Sequence, residues 1–150
     1  MHALIASFKQ SMVIQIKKLY PDVKLPGYAH PGDAGLDVYA RETQVINPGE
    51  RKFFMLGFAM EFDHTYVAIV KDRGSMAKNG LHTMGGVFDA GYRGEYNILL
   101  VNLGDQPYTV NAGDKIAQIV ILPFIRGNIQ EVAELSDSQR GSGQFGSTGK

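Results

Sequence analysis

The sequence predicts an all-β fold: a jelly-roll-like barrel or sandwich of many short strands, with at most one short helix. Three observations carry that expectation. Apolar and polar residues alternate at period two in short runs, as in Met12–Leu19 (MVIQIKKL). No helical period is sustained over about ten residues. Turn residues, including 18 glycines, break the chain at regular intervals.

Met12–Leu19 is the first strand. Pro21, Pro26, Gly27, Pro31 and Gly32 then exclude regular structure through a long loop, since proline fixes φ and lacks an amide donor. Ala34–Ala40 (AGLDVYA) is a short strand entered through glycine, and Thr43–Ile46 is another, closed by the turn Asn47-Pro48-Gly49-Glu50. Arg51–Phe58 and Met60–Phe62 are apolar, aromatic and strand-like, and Asp63-His64 turns the chain into Tyr66–Val70. Ser75–Asn79 has the length of one or two helical turns, stopped by Gly80.

Next, Gly85-Gly86 ends an apolar run and Val87-Phe88 delivers a carboxylate, Asp89. Ala90-Gly91 makes a tight turn, and Tyr92-Arg93-Gly94-Glu95 returns into the apolar strand Ile98–Val101. The pattern reads as a β-hairpin with Asp89 at its bend and Tyr92 beside it. Ile98–Asn102, Tyr108–Val110 and Ile116–Leu122 complete the run of strands, with turns at Gly104-Asp105 and Asn111–Asp114. Ile129–Leu135 reads as a last strand or a short helix.

A chain of 150 residues suffices for one domain with a core. Its formal net charge of zero argues against a broad basic surface for nucleic acid, so any anion site must be local. The absence of Cys excludes disulfides, thiolate nucleophiles and Cys-ligated zinc, and His2, His30, His64 and His82 show no metal-ligand spacing. No apolar run approaches the ~20 residues that span a bilayer. Met1–Ser11 lacks the basic and long apolar regions of a signal peptide, and the expectation is a cytoplasmic protein without membrane contact. The expected organisation is an extension over 1–11, a β domain over 12–135 and a flexible arm over 136–150. The arm (SDSQRGSGQFGSTGK) has too little apolar surface to order itself, yet it carries Arg140 and Phe145 among hydroxyls and free amides. That composition suits a lid for an aromatic, anionic ligand.

Other residues suit the same ligand. Asp37 lies in the strand Ala34–Ala40. Arg73 lies in Asp72-Arg73-Gly74-Ser75-Met76-Ala77, at a strand-to-helix step where amides and a hydroxyl can bind an anion. Gln118 lies in Gly113–Gln118. Singly, each has an ordinary role as a turn carboxylate, surface cation, edge amide or packed ring. Together, in this order, they resemble the five motifs of the trimeric dUTPase family, over residues 12–149 or so. The motifs match Ala34–Ala40, Arg73–Ala77, Gly86–Glu95, Gly113–Gln118 and Arg140–Gly149.

The resemblance implies a homotrimer with shared active sites, an arm that closes over them, and hydrolysis of dUTP to dUMP and pyrophosphate. That activity serves dUTP removal and dTMP precursor supply. By the resemblance, Asp89 holds and deprotonates a water that attacks the α-phosphorus, and accepts the 3′-hydroxyl. Tyr92 packs under the deoxyribose and leaves no room for a 2′-hydroxyl. Groups near Thr83, Val87, Phe88 and Asn97 read the uracil. Arg73, Gly74, Ser75 and Gln118 hold the phosphates, with Mg²⁺ on the phosphate oxygens and waters rather than on the protein. Asp37 acts through that water shell and by tying down Arg or Lys side chains. Arg140, Ser147 and Thr148 cap the terminal phosphates, Phe145 lies over the base, and Gly146 also binds substrate.

The chain departs from the family pattern in its second motif, commonly Pro-Arg-Ser-Gly-Leu-Ala. Here Ser and Gly have changed places, and Asp72 stands where Pro is common. The expectation is that Asp72 adds negative charge near the triphosphate. Gln144 and Phe88 also replace a common Gly and a common Ile. Two other functions are weighed. A dCTP deaminase shares the fold, but its catalytic Glu falls at Leu99 here, and leucine transfers no proton. A nucleotide-binding sensor without turnover would fit the altered motif, but gives no role to Asp89.

Overall fold

The computed structural model of the chain describes residues 12–139 together with 141–142. The expectations for Met1–Ser11 and for Arg140, Gln144, Phe145, Gly146, Ser147 and Thr148 lie outside those residues. The architecture is all-β, and every ladder is antiparallel. β1 (Gln15–Lys18) pairs with β5 (Phe58–Glu61), and β3 (Gln44–Ile46) with β10 (Tyr108–Val110). A four-stranded sheet runs in the order β2 (Gly35–Tyr39), β11 (Lys115–Pro123), β6 (Tyr66–Lys71), β8 (Val87–Asp89). A three-stranded sheet runs β4 (Arg51–Met55), β9 (Asn97–Asn102), β7 (Leu81–Met84). The sheets stay open, and no barrel closes among the described residues.

Alternation explains which faces meet. In β4, Phe54 points inward while Phe53 and Met55 face out. In β7, Leu81 and Thr83 are buried while His82 and Met84 are not. β2 is buried at Leu36, Asp37 and Val38 alike, as a strand covered on both faces must be. These faces close over one core that includes Val38, Ile46, Phe54, Phe58, Ile98, Leu100, Ile116 and Ile119. Each such side chain stabilises the fold by about 1.5–3 kcal/mol relative to exposure. The predicted turn at Asn47–Glu50 forms, with Glu50 N–H on the Asn47 carbonyl at 2.9 Å and Gly49 at φ 75°. The predicted helix is α1 (Gly74–Lys78), and Gly80 ends it at φ 80°.

Two expectations are corrected. Val87–Asp89 does not form a hairpin with the strand that follows. β8 pairs with β6, whereas β9 lies between β4 and β7 in the other sheet. The chain changes sheets at Gly85-Gly86, where both residues take positive φ (67° and 93°). A Cβ on Gly86 would stand 2.6 Å from Val70 Cβ, so only glycine fits this crossing. Second, Ile129–Leu135 is neither strand nor helix. It finds no ladder partner, and Ile129 and Leu135 are 97% and 88% exposed, so burial supplies nothing to order them.

Candidate active site

β2 and β11 place Asp37 opposite Gln118, and Gln118 is also opposite Lys71 of β6. Asp37 is buried, and a buried carboxylate needs cations. It has two: Arg73 Nε lies 2.9 Å from Oδ1 and Lys115 Nζ 2.6 Å from Oδ2. Two cations on one carboxylate leave local positive charge, suited to an anion. Gln118 donates from Nε2 to the Asp72 carbonyl at 2.9 Å, which holds the step from β6 into α1. Arg73 caps that helix in extended backbone, φ −83° and ψ 141°. Asp37, Arg73, Gly74 and Gln118 thus line one cavity of about 400 Å³, with Gly35 on its wall. A Cβ on Gly35 would stand 2.9 Å from Gln118 Cδ.

Asp72 keeps its negative charge next to Arg73, and that charge is bonded rather than bare. Its carboxylate accepts from Thr83 N at 2.7 Å, from Thr83 Oγ1 at 2.6 Å, and meets His82 Nδ1 at 2.7 Å. Burial works to raise this carboxyl, but bonds from Thr83 and His82 outweigh it and hold it below the ordinary value.

Asp89 ends β8 opposite Val67, and the Tyr92 N–H donates to its carbonyl at 3.0 Å, closing the turn. Tyr92 rests on an aromatic series: Phe88 at 5.6 Å and Tyr96 at 5.7 Å between ring centroids, with Phe88 stacked on Tyr96 at 4.3 Å and Tyr96 on Phe58 at 5.7 Å. Phe88, the unusual residue beside Asp89, is therefore part of that platform. The Tyr92 hydroxyl donates to the Glu95 carbonyl at 3.1 Å, and its ring crosses Gly94, where a Cβ would lie 2.5 Å from Tyr92 Cζ. Arg93 secures the turn through Nη1 to the Ala90 carbonyl and Nη2 to Glu61 Oε1 at 3.1 Å. Burial pushes the Tyr96 hydroxyl up to about 12.

The predicted residues therefore form two groups. Asp37, Arg73, Gly74 and Gln118 share the cavity, with Ser75 in the first turn of α1. Asp89, Tyr92, Val87 and Phe88 stand on or beside the β8 turn and do not line that cavity. Thr83 on β7 and Asn97 at the start of β9 belong to the other sheet. Sequence reasoning missed Lys115, Gly35, Gly94 and the bonds of Asp72. Lys115 had a signal: it lies three residues before Gln118 in a quoted motif, and Asp37 required cations. Gly94 lies in the quoted motif Gly86–Glu95, but the fold of Tyr92 across it appears only in three dimensions.

A dUTPase family model matches residues 22–149. The chain is similar to the deoxyuridine 5'-triphosphate nucleotidohydrolase of Clostridium tetani (strain Massachusetts / E88), at 46% identity over 91% of this chain and 97% of that protein. It is similar to the protein of the same name from Nautilia profundicola, at 39% identity over 93% of this chain and all of that one (100%). Among solved structures, a mutant dUTPase of Staphylococcus bacteriophage 80alpha with dUpNHpp has TM-score 0.86 and 27% identity, covering 92% of this chain and 99% of that one. A mutant dUTPase from phage phi11 of S. aureus, solved to show coordination of a structural Mg(II) ion, has TM-score 0.77 and 25% identity, covering 83% and 99%.

Proposed function

We propose, from the premise that the chain belongs to the dUTPase family, that it hydrolyses dUTP to dUMP and pyrophosphate, with Asp89 as general base. The observation that carries this is the Asp89–Tyr92 turn: a carboxylate at the end of β8 with an aromatic ring fixed three residues on. Asp89 holds a water in line with the α-phosphorus, takes its proton, and accepts the 3′-hydroxyl. A carboxylate is a weak base, with an ordinary pKa of about 4. Positioning and neutralisation of phosphate charge supply much of the acceleration. Tyr92 supports the deoxyribose, and groups near Thr83, Val87, Phe88 and Asn97 read the uracil.

The paired cations at Asp37 support a phosphate site made of Arg73, Gly74, Ser75 and Gln118. Both Asp37 oxygens are engaged by those cations. Mg²⁺ in this reading arrives on the triphosphate, as part of the substrate, and neutralises its charge. Arg140, Phe145, Gly146, Ser147 and Thr148 close over the ligand. The reaction removes dUTP and supplies the precursor of dTMP, in the cytoplasm. No helix among the described residues is long and apolar enough to cross a membrane.

The assembly is a homotrimer with shared sites. Supporting this, Asp89 and the Arg73 cavity do not share one pocket on a single chain, and residues 124–139 are exposed, with Ile125 and Ile129 each at 97%. Sedimentation giving a monomer at assay concentration would contradict the trimer. The reaction is tested by pyrophosphate release from dUTP, dCTP, dTTP and UTP, with Mg²⁺ and with EDTA. Release from dUTP alone, abolished by EDTA, is expected; no release from dUTP at micromolar enzyme would sink the reading.

A further inference from the structure

We propose that Asp72 is a positioning residue for the triphosphate: its carboxylate fastens the loop that carries Arg73 to strand β7. The inference rests on the functional reading above, because it concerns how that site holds phosphate. Asp72 itself belongs to no strand or helix. Nevertheless three elements converge on it. Its side chain takes the Thr83 N–H and hydroxyl and the His82 ring from β7. Its carbonyl takes Gln118 Nε2 from β11, and the backbone enters from the end of β6. The next residue, Arg73, is then aimed at Asp37 at 2.9 Å.

Without these bonds the segment between β6 and α1 keeps two side-chain ties to other strands among the described residues, Gln118 to the Asp72 carbonyl and Arg73 to Asp37. The five-residue helix that follows has no side-chain bond at its N-terminal cap. Arg73 would then keep its ion pair with Asp37 and the Gln118 bond beside it, without the tie to β7 that Asp72 supplies. The same bonds join the β7 strand of the base-reading groups to the phosphate loop, across eleven positions of sequence. The sign of the effect separates this role from simple electrostatics. A carboxylate that merely repelled the triphosphate would, on removal, improve binding. A carboxylate that positions Arg73 would, on removal, weaken it.

The experiment is titration calorimetry of dUMP and dUpNHpp, each with Mg²⁺, on the full chain and on Asp72→Ala and Asp72→Asn. Asn keeps an acceptor oxygen for both Thr83 donors. Asp72→Ala is expected to bind dUpNHpp about tenfold more weakly, the scale of one lost bond to a charged group. It should weaken dUMP binding by a clearly smaller factor than dUpNHpp binding, and speed hydrogen exchange over residues 72–80. Asp72→Asn should stay within about threefold of the original chain for both ligands. If Asp72→Ala fails to fold, Asp72→Ser, which keeps one oxygen, takes its place. Unchanged or tighter dUpNHpp binding by the truncated side chain overturns the proposal, as does an Asn variant equally impaired. Cleavage of dUTP by the unaltered chain checks the functional reading separately.

Discussion

Replacing Gly94 with alanine tests whether the position of the Tyr92 ring, rather than its presence, selects deoxyribose. Gly94 does not take positive φ, so alanine carries no backbone penalty there and its effect is steric. The added Cβ would lie 2.5 Å from Tyr92 Cζ and 2.8 Å from Cε2. Ordinary carbon contact begins near 3.5 Å, so the ring must retreat by about 1 Å. Tyr92 is 38% exposed and can swing outward, which keeps the stability cost low. The swing breaks the Tyr92 hydroxyl bond to the Glu95 carbonyl, about 1 kcal/mol, and loosens the contacts with Phe88 and Tyr96. A displacement of about 1 Å costs up to about a hundredfold in rate, so kcat/KM for dUTP should fall by tenfold or more in order of magnitude. If the Tyr92 ring excludes a 2′-hydroxyl as proposed, the dUTP-to-UTP ratio should fall with it. The assay is kcat/KM for both nucleotides on Gly94→Ala, with Tyr92→Phe as the control that keeps the ring over Gly94. Selectivity and rate unchanged in Gly94→Ala would refute the steric gate.

Asp89→Asn should keep the fold and bind dUpNHpp within a few-fold, while turnover falls by about 10²–10⁴; near-normal turnover would reject Asp89 as base. Gly35→Ala should push Gln118 off its 2.9 Å bond to the Asp72 carbonyl and raise KM for dUTP several-fold; an unchanged KM would show that this bond is idle. Tyr96→Phe should stabilise the chain by about 1 kcal/mol, because the buried hydroxyl has no partner among the described residues. The unfolded tyrosine ionises near pH 10 and the folded one near 12, so rising pH favours unfolding between those values. Thermal melts should show that alkaline decline in the original chain, and Tyr96→Phe should lack the part due to this residue. An identical pH profile in both chains would contradict the assignment.

The strands were legible because alternation and turn chemistry are local. Asn47–Glu50 shows the turn in its residues, and Phe53-Phe54-Met55 shows the inward face in its spacing. Strand partners were not, since they depend on which edge is free. The Val87–Asp89 segment looked like half of a hairpin, and nothing in the sequence shows that Gly85-Gly86 moves it to β6. Ile129–Leu135 misled for a related reason: its apolar residues promise burial, but the described residues provide no surface for them. At the site, residue types were readable and orientations were not. Asp72 was legible as an added charge, but not that its acceptors face Thr83 and His82.

The sheet crossing at Gly85-Gly86 also limits how this site can be altered. Only those two residues separate β7 from β8, so the spacing from Thr83 to Asp89 works as a ruler with two fixed marks. Loops elsewhere can lengthen without moving either mark. One residue inserted here would invert the alternation of β8 and turn Asp89 to the opposite face. Variation in this enzyme therefore has room in the surrounding surfaces and in the choice of side chains, while the distance between Thr83 and Asp89 stays set by the backbone.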